Sequence, residues 1–101
     1  MTPFILSRAA AADIADIWEY ILEDAGIDRA DAVREEIYHG ILHACDHPHR
    51  GHRHDHLSDD SLRVWNVYSY LIVYWQDMFP LPVSRVIHGA RDLGSIETPF
   101  P

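Results

Sequence analysis

Arg63, Arg85 and His88 are the side chains of this 101-residue sequence whose types suit general acid–base chemistry on an anionic substrate. A guanidinium stabilises developing negative charge, and an imidazole that titrates near neutrality passes the proton. Structural roles are open to the same residues. His88 can end a strand and hydrogen-bond the backbone of the following turn, while Arg63 and Arg85 can pair with Asp92 or with helix acids, an exposed ion pair worth roughly 0–1 kcal/mol. We prefer the structural roles and assign no catalytic residue.

Five of the eight histidines, His47, His49, His52, His54 and His56, fall two or three residues apart with Cys45 and Asp55 nearby. Neutral imidazoles bind Zn, Ni or Cu ions, but a structural site shows ordered Cys/His pairs on a turn or helix. Metal binding here is read as adventitious, and no metal or cofactor is assigned. Protonated near their reference pKa of about 6.5, these histidines would form a cationic strip. There is no phosphate-cradling glycine loop and no Ser/His/Asp or Cys/His spacing that suits a nucleophile. Among the aromatics, Trp18 and Trp75 read as core, whereas Trp65 and Tyr68 flank a polar turn and suit a protein interface.

The elements that must hold these residues are legible from periodicity. Phe4–Leu6 is long enough for a short strand, and Ser7 suits a helix N-cap. Ile14, Ile17, Trp18, Ile21, Leu22 and Ala25 then recur at helical spacing, with Asp13, Asp16, Glu19, Glu23 and Asp24 on the other, solvated face. Gly26 stops this helix, and Asp28 can cap a second in which Val33, Ile37, Ile41 and Ala44 or Cys45 form the buried stripe. Pro48 ends the second helix. The two helices should form an antiparallel hairpin.

Residues 47 to 61 read as a loop that touches the core at Leu57. Leu62–Val67, Tyr70–Trp75 and, after a turn bounded by Pro80 and Pro82, Val83–His88 read as a three-stranded antiparallel meander. The expected architecture is α+β: an N-terminal strand, a helix hairpin, then the meander completing a mainly antiparallel sheet. Tyr70–Trp75 is apolar on both faces, so both should be covered, one by the helices and the other by a terminal segment or a partner.

At this length one domain spanning residues 1–101 is expected. No apolar run approaches the roughly 20 residues that cross a bilayer, and the N-terminus lacks a signal-peptide pattern, so the expectation is a cytoplasmic chain with no membrane partner. The lone Cys45 fits a reducing compartment. Net charge is −8, there is no lysine, and ten of the 16 acids but three of the eight arginines lie before His47. A chain of this sign lacks the phosphate-neutralising surface that drives non-specific nucleic-acid affinity, so no direct nucleic-acid binding is expected of the free chain.

The order of elements, the Pro48-His49-Arg50-Gly51 turn, Leu62-Arg63-Val64-Trp65, Tyr70-Leu71-Ile72-Val73-Tyr74 and the string Arg85-Val86-Ile87-His88-Gly89-Ala90-Arg91-Asp92-Leu93 together resemble the ParE/RelE superfamily of bacterial type II toxins. The ParE-like branch is the nearer match, and the resemblance covers almost the whole chain.

That resemblance implies a small α+β toxin held inactive by a cognate, ParD-like antitoxin whose acidic or amphipathic tail folds across its helices and sheet. ParE-like members are associated with inhibition of DNA gyrase by protein binding, RelE-like members with cleavage of messenger RNA on the ribosome. In the ribonuclease alternative the catalytic set would be Arg63, Arg85 and His88. However, Leu71 and Ile72 stand where those enzymes tend to carry arginine, and this chain is acidic where the superfamily's toxins are basic. The expectation is therefore a gyrase inhibitor without chemistry of its own, with Trp65, Tyr68, Arg85 and Arg91 on the partner-binding surface. A non-toxic member that only binds its antitoxin is a further alternative.

Overall fold

Ser7 joins the first two elements of the computed structural model, which describes residues 2–53, 57 and 59–89. Strand β1, Phe4–Leu6, ends at this serine, and helix α1, Arg8–Ala25, begins after it. The Ser7 hydroxyl oxygen accepts from the Ala10 amide at 2.9 Å, satisfying one of the donors that a helix start leaves open. The same hydroxyl donates to the Ser84 carbonyl at 2.6 Å and so fixes the helix start against the sheet.

Gly26, with φ of +92°, turns the chain out of α1, and helix α2, Ile27–Asp46, follows directly. The expected Asp28 cap is not formed: Gly26 occupies the cap position without a side-chain hydrogen bond, and Asp28 lies in the first turn, where its charge favours the positive end of the helix dipole. The α2 stripe is the expected one, Val33, Ile37, Ile41 and Ala44, and Ala30 and Gly40 are buried with it. Pro48 starts a short 3-10 turn, Pro48–Arg50, and so ends the α-helix before it.

The meander is present as β2, Leu62–Val67, β3, Tyr70–Trp75, and β4, Leu81–His88. The sheet order is β1-β4-β3-β2, with β2–β3 and β3–β4 antiparallel and β1–β4 parallel. The sheet is thus mixed. Parallel neighbours need a crossover, and here almost the whole chain, from Leu6 to Leu81, supplies it.

Strand β4 starts two residues earlier than expected and contains Pro82, which lies in the strand and not in the turn before it. Pro82 is opposite Ile5 of β1, and the last β3–β4 pair is Tyr74 with Val83, so the missing N–H falls beyond the antiparallel ladder. Ser84 is an extra residue in that ladder, because Val73 pairs with Arg85 but Tyr74 with Val83. Such a bulge re-aims the side chains beside it.

Two cores form on the two faces of the sheet. On the helix side Ile37, Ile41, Ile72, Tyr74, Val83 and Val86 pack with α1 and α2. On the other side Leu62, Val64, Leu71, Val73 and Ile87 pack with Leu57 and Trp75. Burial of Ile72 and Val73, neighbours on opposite faces of β3, is complete in both cases. Each such side chain contributes roughly 1.5–3 kcal/mol. No helix of the described residues is long and apolar enough to cross a membrane.

Candidate functional site

Arg85 does not present a free charge. Its Nε donates to Asp13 Oδ2 at 2.7 Å and its Nη2 to Asp13 Oδ1 at 2.9 Å, a two-pronged pair between β4 and α1. The amide of Val86 donates to the same Oδ2 at 2.9 Å. Asp13 therefore satisfies both the guanidinium and an edge amide of β4 just past the reach of β1. With side chains 31% and 16% exposed, the pair is partly buried rather than a surface contact. Arg85 does pair with a helix acid, as one structural expectation had it, but Asp13 is not on a purely solvated face.

Arg63 lies at the other end of the sheet and donates to backbone carbonyls, those of Asp60 and, at 2.9 Å, Leu62. Register gives its distance from His88. Arg63 is opposite Tyr74, and His88 is opposite Tyr70, four residues away along β3, about 13 Å at strand rise. His88 meets Tyr70 edge-on, with ring centroids 5.8 Å apart. The three residues of the ribonuclease alternative are thus spread along the sheet, with Arg63 and His88 at opposite ends.

The aromatic candidates differ from one another. Trp65 is half-buried and stacked on His43 of α2, centroids 4.4 Å apart. Tyr68 is 61% exposed at the β2–β3 turn with φ of +53°, and the Arg29 guanidinium lies 5.5 Å from its ring centroid. Trp18 is bound between the helices, donating to Asp31 at 2.9 Å with Arg34 over its ring. Arg91 and Asp92 lie outside the described residues.

The histidines do not converge. His49 Nδ1 lies 2.9 Å from Gln76 Oε1, His52 bridges to Val64 through its backbone, and His43 is packed between Trp65 and His47. His54 and His56 lie outside the described residues. Among the described residues no group of three or more His, Cys, Asp or Glu side chains is arranged to hold a metal ion. Burial, reinforced by the Asp46 charge, raises the Cys45 thiol pKa and so suppresses its thiolate.

Tyr74 gives a physical reason for Gly51. The phenol is buried and donates to the Pro48 carbonyl at 2.8 Å, and a Cβ on Gly51 would come within 2.1 Å of its oxygen. The Tyr74 pKa is raised by burial, against smaller lowering effects from the Gly51 backbone hydrogen bond and the Arg63 charge.

Two concavities meet at Tyr68. One, about 690 Å³, lies between α1 and the sheet end and includes Asp16, Tyr20, Asp24 and His88. The other, about 370 Å³, lies between α2 and β2 and includes Glu36, His39, His43 and Trp65. The exposed turn aromatic Tyr68 thus borders both grooves, while Arg63 and His88 stand at opposite ends of the strands.

A strand, a helical hairpin and an antiparallel meander closed by a parallel first strand define a small α+β protein. The family model for the ParE toxin of the type II toxin-antitoxin system, parDE, matches residues 4–93, and the chain belongs to this family. It is 35% identical over 92 residues to Toxin ParE1 of Caulobacter vibrioides, covering 91% of this chain and 94% of that protein. It shares its fold with a chain of the chromosomal ParDE TA system from P. aeruginosa, with a TM-score of 0.70, 14% identity and coverage of 84% of this chain and 92% of that one.

Proposed function

We propose that this chain acts as a ParE-like toxin that inhibits DNA gyrase by binding it, performs no covalent chemistry, and is neutralised by a ParD-like antitoxin in the cytoplasm. The observation that carries this beyond family membership is the engagement of the acid–base candidates inside the fold. Arg85 is committed to Asp13, and Arg63 is bound to carbonyls about 13 Å along the strands from His88. General acid–base catalysis on one bond needs its groups within hydrogen-bond reach of the same atoms.

Tyr68 and Trp65 are the proposed anchors of the partner-binding surface, with Arg91 contributing a cation. Arg85 serves this surface indirectly, by holding β4 to α1. The test is substitution in a supercoiling assay. His88→Ala should leave gyrase inhibition within about twofold of wild type, and Arg91→Ala and Tyr68→Ala should each weaken it at least about tenfold while thermal unfolding stays put. Loss of folding in Arg91→Ala would refute its assignment to the surface, and ribosome-dependent messenger cleavage abolished by His88→Ala would overturn the binding-only reading.

A further inference from the structure

The groove between α1 and the sheet end has a buried aliphatic floor and a rim of exposed polar and aromatic groups. Val33 and Val86 are buried and Ile17 and Ile21 half-buried, whereas Asp16, Tyr20, Asp24, Arg29 and Tyr68 are exposed. Asp16, Tyr20 and Asp24 follow one another at four-residue intervals, so the two carboxylates are about 12 Å apart along the helix with an aromatic ring between them. Neither carboxylate has a hydrogen-bond or ion-pair partner among the described residues, unlike Asp13 in the same groove, whose charge Arg85 neutralises. Arg29, the one arginine on the rim among the described residues, is drawn over Tyr68.

We infer that this groove receives a cationic segment of the protein partner, with two arginine or lysine side chains about 12 Å apart reaching Asp16 and Asp24 and apolar side chains on the aliphatic floor. It rests on the reading of the chain as one neutralised by an antitoxin, and it gives that antitoxin's segment a sign. Tyr20, exposed between the two carboxylates, offers a face on which a guanidinium stacks, as Arg29 already does on Tyr68. Other occupants fit less well. A second copy of this chain would bring the same carboxylates and another net charge of −8, and a nucleic acid would bring phosphates. The family resemblance alone implies an acidic or amphipathic tail; at this groove the chain's own charges call for the opposite sign.

The experiment measures binding of the antitoxin encoded beside this chain to wild type and to the Asp16→Asn/Asp24→Asn variant by calorimetry at low and physiological salt. Both residues are exposed, so the variant should melt with the wild type. Weakening of about tenfold, with a flatter salt dependence, is expected. Equal affinity at both salt concentrations would overturn the cationic-segment inference and leave the toxin–antitoxin reading standing. Absence of antitoxin binding to wild type would remove that reading instead, and a second arm then decides the groove. A short amphipathic peptide with lysines eight residues apart should bind wild type and not the variant, while its glutamate-substituted counterpart should bind neither. Equal binding of the two peptides, or none, would sink the inference.

Discussion

At the scale of single residues, Asp13 carries more of the fold than its place in the sequence announces. Its two oxygens take both prongs of Arg85 and the Val86 amide, 72 and 73 residues away. Removing it leaves a partly buried cation and an edge amide without that acceptor, which costs more than the pair itself is worth. Asp13→Ala should lower unfolding free energy by about 2–4 kcal/mol in urea titrations, whereas Asp16→Ala should change it by less than about 0.5 kcal/mol. Tyr74 makes a pH prediction. Its folded-state pKa lies above the ordinary value of about 10, so the folded chain holds the proton longer than the unfolded one and stability falls as pH rises past about 10. Cys45, also raised, adds to the fall in the same direction. Urea titrations from neutral pH to about 11 should show this decline, and Tyr74→Phe should flatten it. The sequence offered Arg85 a helix acid as partner but not which one, because an acid whose partner is 72 residues away looks like any solvated acid, and a strand tyrosine does not reveal which carbonyl it will reach.

Among the elements, sequence periodicity carried most of the information. The apolar spacing of α1 and α2, the serine before the first, the glycine between them and the proline after the second located both helices nearly to the residue. Each of these signals is local, as propensity and capping are. The parallel pairing of β1 with β4 is not local, and neither is the entry of Pro82 into β4, which is tolerated because the antiparallel ladder with β3 ends at Val83. Gly40 records a contact between elements that helix propensity alone would misjudge. A Cβ there would lie 2.5 Å from Val67 Cγ2 and 3.0 Å from Ile72 Cδ1, so α2 is pressed against β2 and β3 at this turn. Alanine gains up to about 1 kcal/mol over glycine in a free helix. Here Gly40→Ala should instead destabilise by about 1–3 kcal/mol through overpacking, measured by the shift of the urea midpoint at unchanged slope.

For the whole molecule the governing facts are its sign and the separation of Arg63 from His88 along the sheet. A net charge of −8 without a single lysine suits protein partners better than nucleic acid. The free chain should therefore show no measurable binding to duplex DNA in a mobility-shift assay at physiological salt, and any association with DNA should require gyrase. The family was legible in the strings from Leu62 to Leu93, while the distance between Arg63 and His88 was not, since Arg63, Arg85 and His88 satisfy a catalytic list by type. Only register separates them, and register is a property of the folded sheet. Gyrase inhibition by binding alone is decided by adding the purified chain to two reactions side by side, gyrase supercoiling with detection of trapped cleaved DNA, and messenger cleavage on programmed ribosomes. Inhibited supercoiling with trapped DNA and intact messenger is the predicted result; cut messenger with unaffected gyrase would contradict it.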